Sequence, residues 1–194
     1  MMAGLAFLVF RDRLFNHVLV RINVWRDPWS DISNTGYQIT QSLFAIGSGG
    51  YFGSGLTKGS PDVIPVSESD FIFSAIAEEM GVIFAILLIL VCFCCFICFI
   101  SIAIKAKSRF YKTMALGFSI CYIFQTFLSI GGVTKFIPST GVTIPLVSYG
   151  GSSVLSSLVM FSIMQGISTI ENKEAKKVEE ERRKLEEESE SSGI

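Results

Sequence analysis

The sequence predicts an all-α protein that crosses a membrane several times. Three observations carry that expectation. Charge is scarce: 50% of the 194 residues are hydrophobic and 17% are charged, where a soluble domain carries about a quarter. The charge is also displaced to one end. Residues 171–194 alone hold six basic and nine acidic side chains, which leaves too few over the rest to cover a water-soluble surface. Finally, Val82–Ile104, Thr113–Thr134 and Ser152–Ile170 are free of charge. At 1.5 Å per helical residue the first of these reaches roughly 34 Å, enough for a hydrocarbon core of about 30 Å. This pattern excludes an ordinary soluble enzyme and a disordered chain. The net charge of −1, with no basic field, excludes a nucleic-acid partner.

In chain order, residues 1–10 are apolar but too short to span, and lack the basic start and small-residue cleavage site of a signal peptide. They read as the end of a transmembrane helix that begins before the sequence does. Residues 11–70 form a large extracytoplasmic loop. Within it Leu14, Phe15, Val18, Leu19, Ile22 and Trp25 recur at helical spacing, with Arg13, Asn16, His17 and Arg21 opposite. That is an interfacial amphipathic helix, stopped by Asp27-Pro28-Trp29. Gly36–Ile46 suits a short helix with Gln38, Gln41 and Ser42 on one face. Residues 47–59 hold six glycines, Gly49 and Gly50 among them, with Lys58 near the end. The run matches neither the dinucleotide nor the P-loop pattern. It is either a loop whose bare amides approach a ligand or a purely structural series of turns.

Ser67 and Asp70 are placed to cap the next helix, 71–104, which carries the first full span. Glu78 and Glu79 lie about two turns further in, where ionisable groups usually face a polar cavity. The alternative is a helix that stays above the membrane until Gly81. Cys92, Cys94, Cys95, Cys98 and Cys121 all fall in apolar runs and read as small apolar side chains. The connector 105–112 contains Lys105, Lys107, Arg109 and Lys112 and no acid, which places it in the cytoplasm. The span 113–134 then returns outward and 152–170 leads back in, to a cytoplasmic tail, 171–194. That tail reads as a solvated continuation of the last helix. The outer connector 135–151 has two prolines and three glycines in an apolar setting, the composition of a re-entrant segment lining a cavity.

Four stretches, RINVWRDPWSD, GYQITQSLFAIGSGGYFGSGL, IPVSESDFIFSAIAEEMG and IPSTGVTIPLVSYGGSS, together resemble the SEDS family, the FtsW/RodA/SpoVE proteins of bacterial division, elongation and sporulation. They cover most of residues 21–155, in family order. The resemblance is to the C-terminal half of a protein with about ten spans. It implies a multi-pass protein of the bacterial plasma membrane, a glycosyltransferase that polymerises lipid II into peptidoglycan with a class B penicillin-binding protein. By that resemblance Asp70 is the catalytic residue. Pro138, Thr140 and Gly141, and Ser148, Tyr149, Gly150, Gly151, Ser152 and Ser153, line the last outer loop and its cavity. Gln41, Ser42, Gly49, Gly50, Lys58, Glu78 and Glu79 complete the expected substrate surface. Division-type relatives often have lysine where Thr140 stands, so the subfamily stays open.

The implied chemistry joins a sugar hydroxyl of one lipid II to the anomeric carbon of a polyprenyl-diphosphate-linked glycan. Asp70 suits the base. Arg21, Arg26, Lys58 and Lys135 are the outer cations available for the diphosphate, with or without a divalent cation, Mg or Mn, held partly by carboxylates. Two other classes remain open on the residues: a flippase for the lipid-linked precursor, and a non-catalytic scaffold that activates a penicillin-binding protein.

Overall fold

Residue 16 and residues 18–191 are described by the structure, a computed structural model. The apolar stretch 1–10 lies outside them, as do Arg13, Leu14, Phe15 and His17 of the amphipathic pattern. Among the described residues every regular element is helical and no strand occurs, so the all-α expectation holds. The elements are α1 (18–26), a 3₁₀ turn Pro28–Asp31, α2 (Tyr37–Gly49), a second 3₁₀ turn Pro61–Val63, α3 (Ile72–Lys105), α4 (Arg109–Val133) and α5 (Gly151–Ser191). Three of them, α3, α4 and α5, are long and apolar enough to cross a membrane. Along α3 the side chains of Ile83, Ile86, Leu87, Leu90, Val91 and Ile97 are exposed. A stripe of that kind is stable against lipid, not against water.

The chain divides into two compact units. One holds the described residues up to Cys92 together with Phe124–Val154; the other holds Phe93–Ile123 and the chain from Leu155 onward. The first buries Ile39 and Ala45 of α2, Phe73, Ala77, Ala85 and Cys92 of α3, and Val133 and Ile144. Its entry turn is built by polar residues. Asp27 accepts from the amide of Trp29, 3.1 Å, and Pro28 sits at the first helical position of the 3₁₀ turn, where a missing N–H costs nothing. Asp31 then accepts from the amide and hydroxyl of Thr35 and from the Asn34 amide group. The Thr35 bonds, backbone first, hold the Asp31 carboxyl below its ordinary value.

Helix α3 is broken at Gly81, whose φ of 86° and ψ of 169° lie outside helical space. Such a break leaves carbonyls before it and amides after it without helical partners. The glycine-rich run repairs it. The amides of Ser54 and Gly55 donate to the carbonyls of Glu78 and Glu79, 2.9 and 3.0 Å. The amides of Val82 and Ile83 donate to the carbonyls of Gly50 and Tyr51, 2.9 and 3.4 Å. Four backbone groups flanking Gly81 thus find partners on residues 50–55. The two backbones must nearly touch: a Cβ at Gly49 would collide with the carbonyl of Ala77, and one at Gly81 with that of Tyr51.

The second unit is centred on an edge-to-face aromatic group, with Phe99 5.3 Å from Tyr122 and 4.9 Å from Phe161 between ring centroids, packed with Ala103, Ala115, Met164 and Ile167. Buried Glu171 of α5 accepts from the amide of Lys107, 3.0 Å, and so fixes the α3–α4 connection. Helix α4 begins at Arg109, four residues before the expected span. Helix α5 continues to Ser191 with an exposed charged surface carrying Arg182–Glu186 and Arg183–Glu187 pairs one turn apart.

Candidate functional site

Asp70 ends a run of turns before α3. Its amide donates to the carbonyl of Val66, 3.2 Å, and Val66 itself is in left-handed conformation, φ 61°. The expected capping roles are not seen. The first turn of α3 closes on the carbonyl of Phe71, which accepts from Ser74, 2.9 Å, and the Ser67 amide donates to Ile64. Among the described residues no amide of that turn donates to the Asp70 carboxylate, and no ion pair engages it. The acid is half-buried and turned instead into a cavity of about 110 Å³ lined by α1, the start of α2 and the α4–α5 connection.

Across that cavity stands Gly141, φ 70°. A Cβ there would lie 3.3 Å from Asp70 Oδ2 and 3.9–4.0 Å from the Arg21 guanidinium nitrogens. Glycine therefore leaves open the space that the acid and the base both face. Arg21 and Lys135 are the two cations in the wall, with Trp25, Thr35, Gln38 and Ser139 beside them. Two hydrogen bonds tie α1 to the far connection: Arg21 Nη1 to the carbonyl of Ser139, 2.9 Å, and Trp25 Nε1 to that of Lys135, 3.1 Å. The first uses only part of a five-donor guanidinium. Lys135 is held in left-handed backbone conformation, φ 61°.

Of the residues expected to form the site, Asp70 and Gly141 meet in this cavity, with Arg21 and Lys135 from the expected cations. Arg26 and Lys58 are exposed elsewhere. Gln38, Gln41 and Ser42, expected on one face, go to three surroundings. Gln38 lines the Asp70 cavity, Gln41 lines another one, and Ser42 is fully buried, 2.6 Å from Ser74 Oγ and donating to the carbonyl of Val133. Gly49 and Gly50 belong to the repair of α3. Glu79 accepts from the amide of Thr57, 3.1 Å, and Glu78 from that of Ser60, 3.2 Å, so both carboxylates organise the glycine-rich run. The hydroxyls of Ser148 and Ser153 hold the α4–α5 connection: Ser148 Oγ accepts from the amide of Ile144, 2.8 Å, and Ser153 lies 2.7 Å from Thr143. Tyr149 donates its amide to the carbonyl of Glu68, 2.8 Å, two residues before Asp70. Thr140, Gly151 and Ser152 are exposed, and Pro138 and Gly150 half-buried, and none of the five lines the Asp70 cavity.

The sequence pattern did not single out Thr35 and gave Trp25 only a place on the amphipathic helix, while Ser139 sits between the expected Pro138 and Thr140; hydrogen bonds across more than a hundred residues of sequence bring Trp25 and Ser139 to the cavity wall. For a divalent cation the fit is poor. Among the described residues no three carboxylate, thiol or imidazole groups converge, and Asp70 shares its cavity with two cations. A lone carboxylate facing fixed positive charge can remove a proton from a bound hydroxyl or balance a developing cation, while Arg21 and Lys135 can receive an anionic leaving group.

Fold and site together define a multi-pass helical membrane protein with an acid that faces two cations across a small cavity. The chain belongs to the FtsW/RodA/SpoVE family, described as cell cycle proteins, whose match extends over residues 2–173. It is 41% identical over 155 residues to the peptidoglycan glycosyltransferase RodA of Mycobacterium bovis, covering 80% of this chain and 33% of that protein. It is 34% identical over 168 residues to the probable peptidoglycan glycosyltransferase FtsW of Geobacter sp. strain M18, covering 86% and 45%. A chain solved in work on the structural coordination of polymerization and crosslinking by a peptidoglycan synthase complex has the same fold, with a TM-score of 0.64 at 24% identity over 88% of this chain and 48% of its own. The chain thus spans a third to a half of the length of these relatives.

Proposed function

We propose that this chain carries the reaction centre of a peptidoglycan glycosyltransferase, working on the outer face of the bacterial plasma membrane with the tail after Ile170 in the cytoplasm. The observation that carries the reading is the Asp70 carboxylate: half-buried, bound to no donor among the described residues, and facing Arg21 across the space Gly141 leaves. The names of the relatives supply the reaction class.

In this reading a sugar hydroxyl of lipid II enters beside Asp70. The carboxylate takes its proton as the oxygen bonds to the anomeric carbon of a lipid-linked glycan. The bond from that carbon to the diphosphate oxygen breaks, and the polyprenyl diphosphate departs with the bonding electrons toward Arg21 and Lys135. A positioned base contributes roughly 10²–10⁴-fold to such a step. The cations act on the charge that grows as the bond breaks, and Gln38 and Thr35 offer neutral hydrogen bonds to the sugars. A class B penicillin-binding protein is the proposed partner for crosslinking.

The test is polymerisation of lipid II by purified protein. Asp70→Asn, which keeps shape and removes the base, is expected to lower glycan synthesis at least a hundredfold while the protein still inserts into membranes. Arg21→Gln and Lys135→Gln are expected to lower the rate without abolishing it. Glycan synthesis that survives Asp70→Asn would rule out Asp70 as the base, and purified wild-type protein that makes no glycan would favour a scaffold or a lipid transporter.

A further inference from the structure

A second cavity, of about 220 Å³, opens on another face of α2. It is walled by Gln41, Phe44, Ser48, Ser60, Val63 and Glu78, and shares none of its lining with the Asp70 cavity. Two features set it apart from an ordinary surface dent. Phe44 is paired with Trp29, ring centroids 5.6 Å apart and tilted by 54°, yet Trp29 is 48% and Phe44 52% exposed. Two large rings are thus held together at the rim with most of their gain from burial not realised. At the wall, Glu78 spends Oε1 on the amide of Ser60, while its Oε2 is sheltered from water and has no hydrogen-bond partner. A sheltered carboxylate oxygen without a donor is costly and calls for one.

We propose that this cavity is a saccharide-binding subsite, distinct from the reaction centre, that holds a sugar of the glycan. The proposal rests on the glycosyl-transfer reading for its biological substrate. A pyranose combines an apolar C–H face with a rim of hydroxyl and amide donors. The exposed Phe44 and Trp29 rings match the first, since aromatic surfaces take flat apolar groups. The Glu78 carboxylate, the Gln41 amide and the Ser48 hydroxyl match the second, charge-assisted bonds to the carboxylate being the stronger. Helix α2 presents Gln38 and Ile39 to the Asp70 cavity and Gln41, Phe44, Ala45 and Ser48 to this one. One rigid element therefore sets the spacing between a reacting sugar and a held one.

The two tryptophans of the chain supply the assay. With Trp25 replaced by phenylalanine, Trp29 reports alone, and the N-acetylglucosamine tetramer serves as probe. Titration is expected to give a saturable change in Trp29 emission. Phe44→Ala and Glu78→Gln, the latter keeping the acceptor for Ser60, are each expected to weaken binding about tenfold, which is about 1.4 kcal/mol. Asp70→Asn is expected to leave it within a factor of two. Emission that ignores the tetramer, or binding unaffected by both variants, overturns the proposal. So does Trp29 emission quenched by brominated lipid and indifferent to sugar, which makes the ring pair a membrane anchor. The readout is independent of turnover. Loss of the subsite thus leaves the Asp70 assignment standing, and tetramer binding by protein whose polymerisation survives Asp70→Asn removes that assignment alone.

Discussion

Asp70 shows how much a single side chain depends on its setting. As a helix cap it would contribute about 1 kcal/mol and nothing to chemistry; turned away from the first amides of α3, it has no partner among the described residues and faces a basic cavity. The opposite case is Ser42, a polar residue of another family-like stretch that is consumed by structure. Ser42→Ala is expected to destabilise the protein by about 1–3 kcal/mol, because Ser74 and the Val133 carbonyl lose a buried partner. The double variant Ser42→Ala/Ser74→Ala should recover part of the loss, which thermal unfolding in detergent would detect. Asp31 makes a prediction in pH. Its carboxyl is held below the ordinary 3.8 by Thr35 and then Asn34, so the fold favours the charged form. Its contribution is complete above the ordinary value and disappears as pH falls through the lowered one. The Thr35 amide resonance should move only in that acidic range, and a shift centred above 3.8 would contradict the bond. Residue type and motif made Asp70 and Gly141 legible in sequence. The pairings of Arg21 with Ser139 and of Trp25 with Lys135 were not, because those hydrogen bonds span 118 and 110 positions, which no local pattern encodes.

At the level of elements, the glycine-rich run and the break in α3 explain each other. The sequence left this run open between a ligand loop and structural turns. Here its amides of Ser54 and Gly55 are occupied by carbonyls of Glu78 and Glu79. Three glycines should therefore respond differently to alanine. Gly47, with nothing within 4 Å of a Cβ, lies inside α2, and Gly47→Ala should stabilise by about 0.5–1 kcal/mol. Gly49→Ala drives a methyl into the Ala77 carbonyl and should cost about 1–3 kcal/mol. Gly81→Ala adds a left-handed backbone penalty to its collision with Tyr51 and should cost more again. Equal effects at all three sites, read by unfolding, would mean the two backbones are not in contact. The apolar runs announced α3, α4 and α5, since periodicity and length are local properties. The break at Gly81 was not read from the sequence, where Gly81 marked only the alternative point at which the helix enters the membrane, because one glycine in a helical pattern does not reveal which segment will satisfy a break.

For the whole molecule, each compact unit has its own buried cluster, and the charged end of α5 contributes to neither cluster. Removing the residues after Asn172 is expected to leave the melting temperature unchanged, as exposed pairs such as Arg182–Glu186 contribute little. Glu171→Ala should lower it, since the Lys107 amide then loses its only acceptor among the described residues, at a cost of about 1–3 kcal/mol. A truncation as damaging as Glu171→Ala would show that the tail packs.

The exchange of partners between residues 50–55 and 78–83 also sets how the protein opens. In an unbroken helix a single hydrogen bond frays without touching distant sequence. Here, parting Val82 from Gly50 also strips Glu78 and Glu79 of their acceptor roles, so the four bonds stand or fall together. The 22 residues between the two partners, 56–77, form a loop closed at its base, and Asp70 lies inside it. Amide hydrogens of Ser54, Gly55, Val82 and Ile83 should exchange at one common rate, and that rate is the frequency with which the loop bearing the acid comes undone.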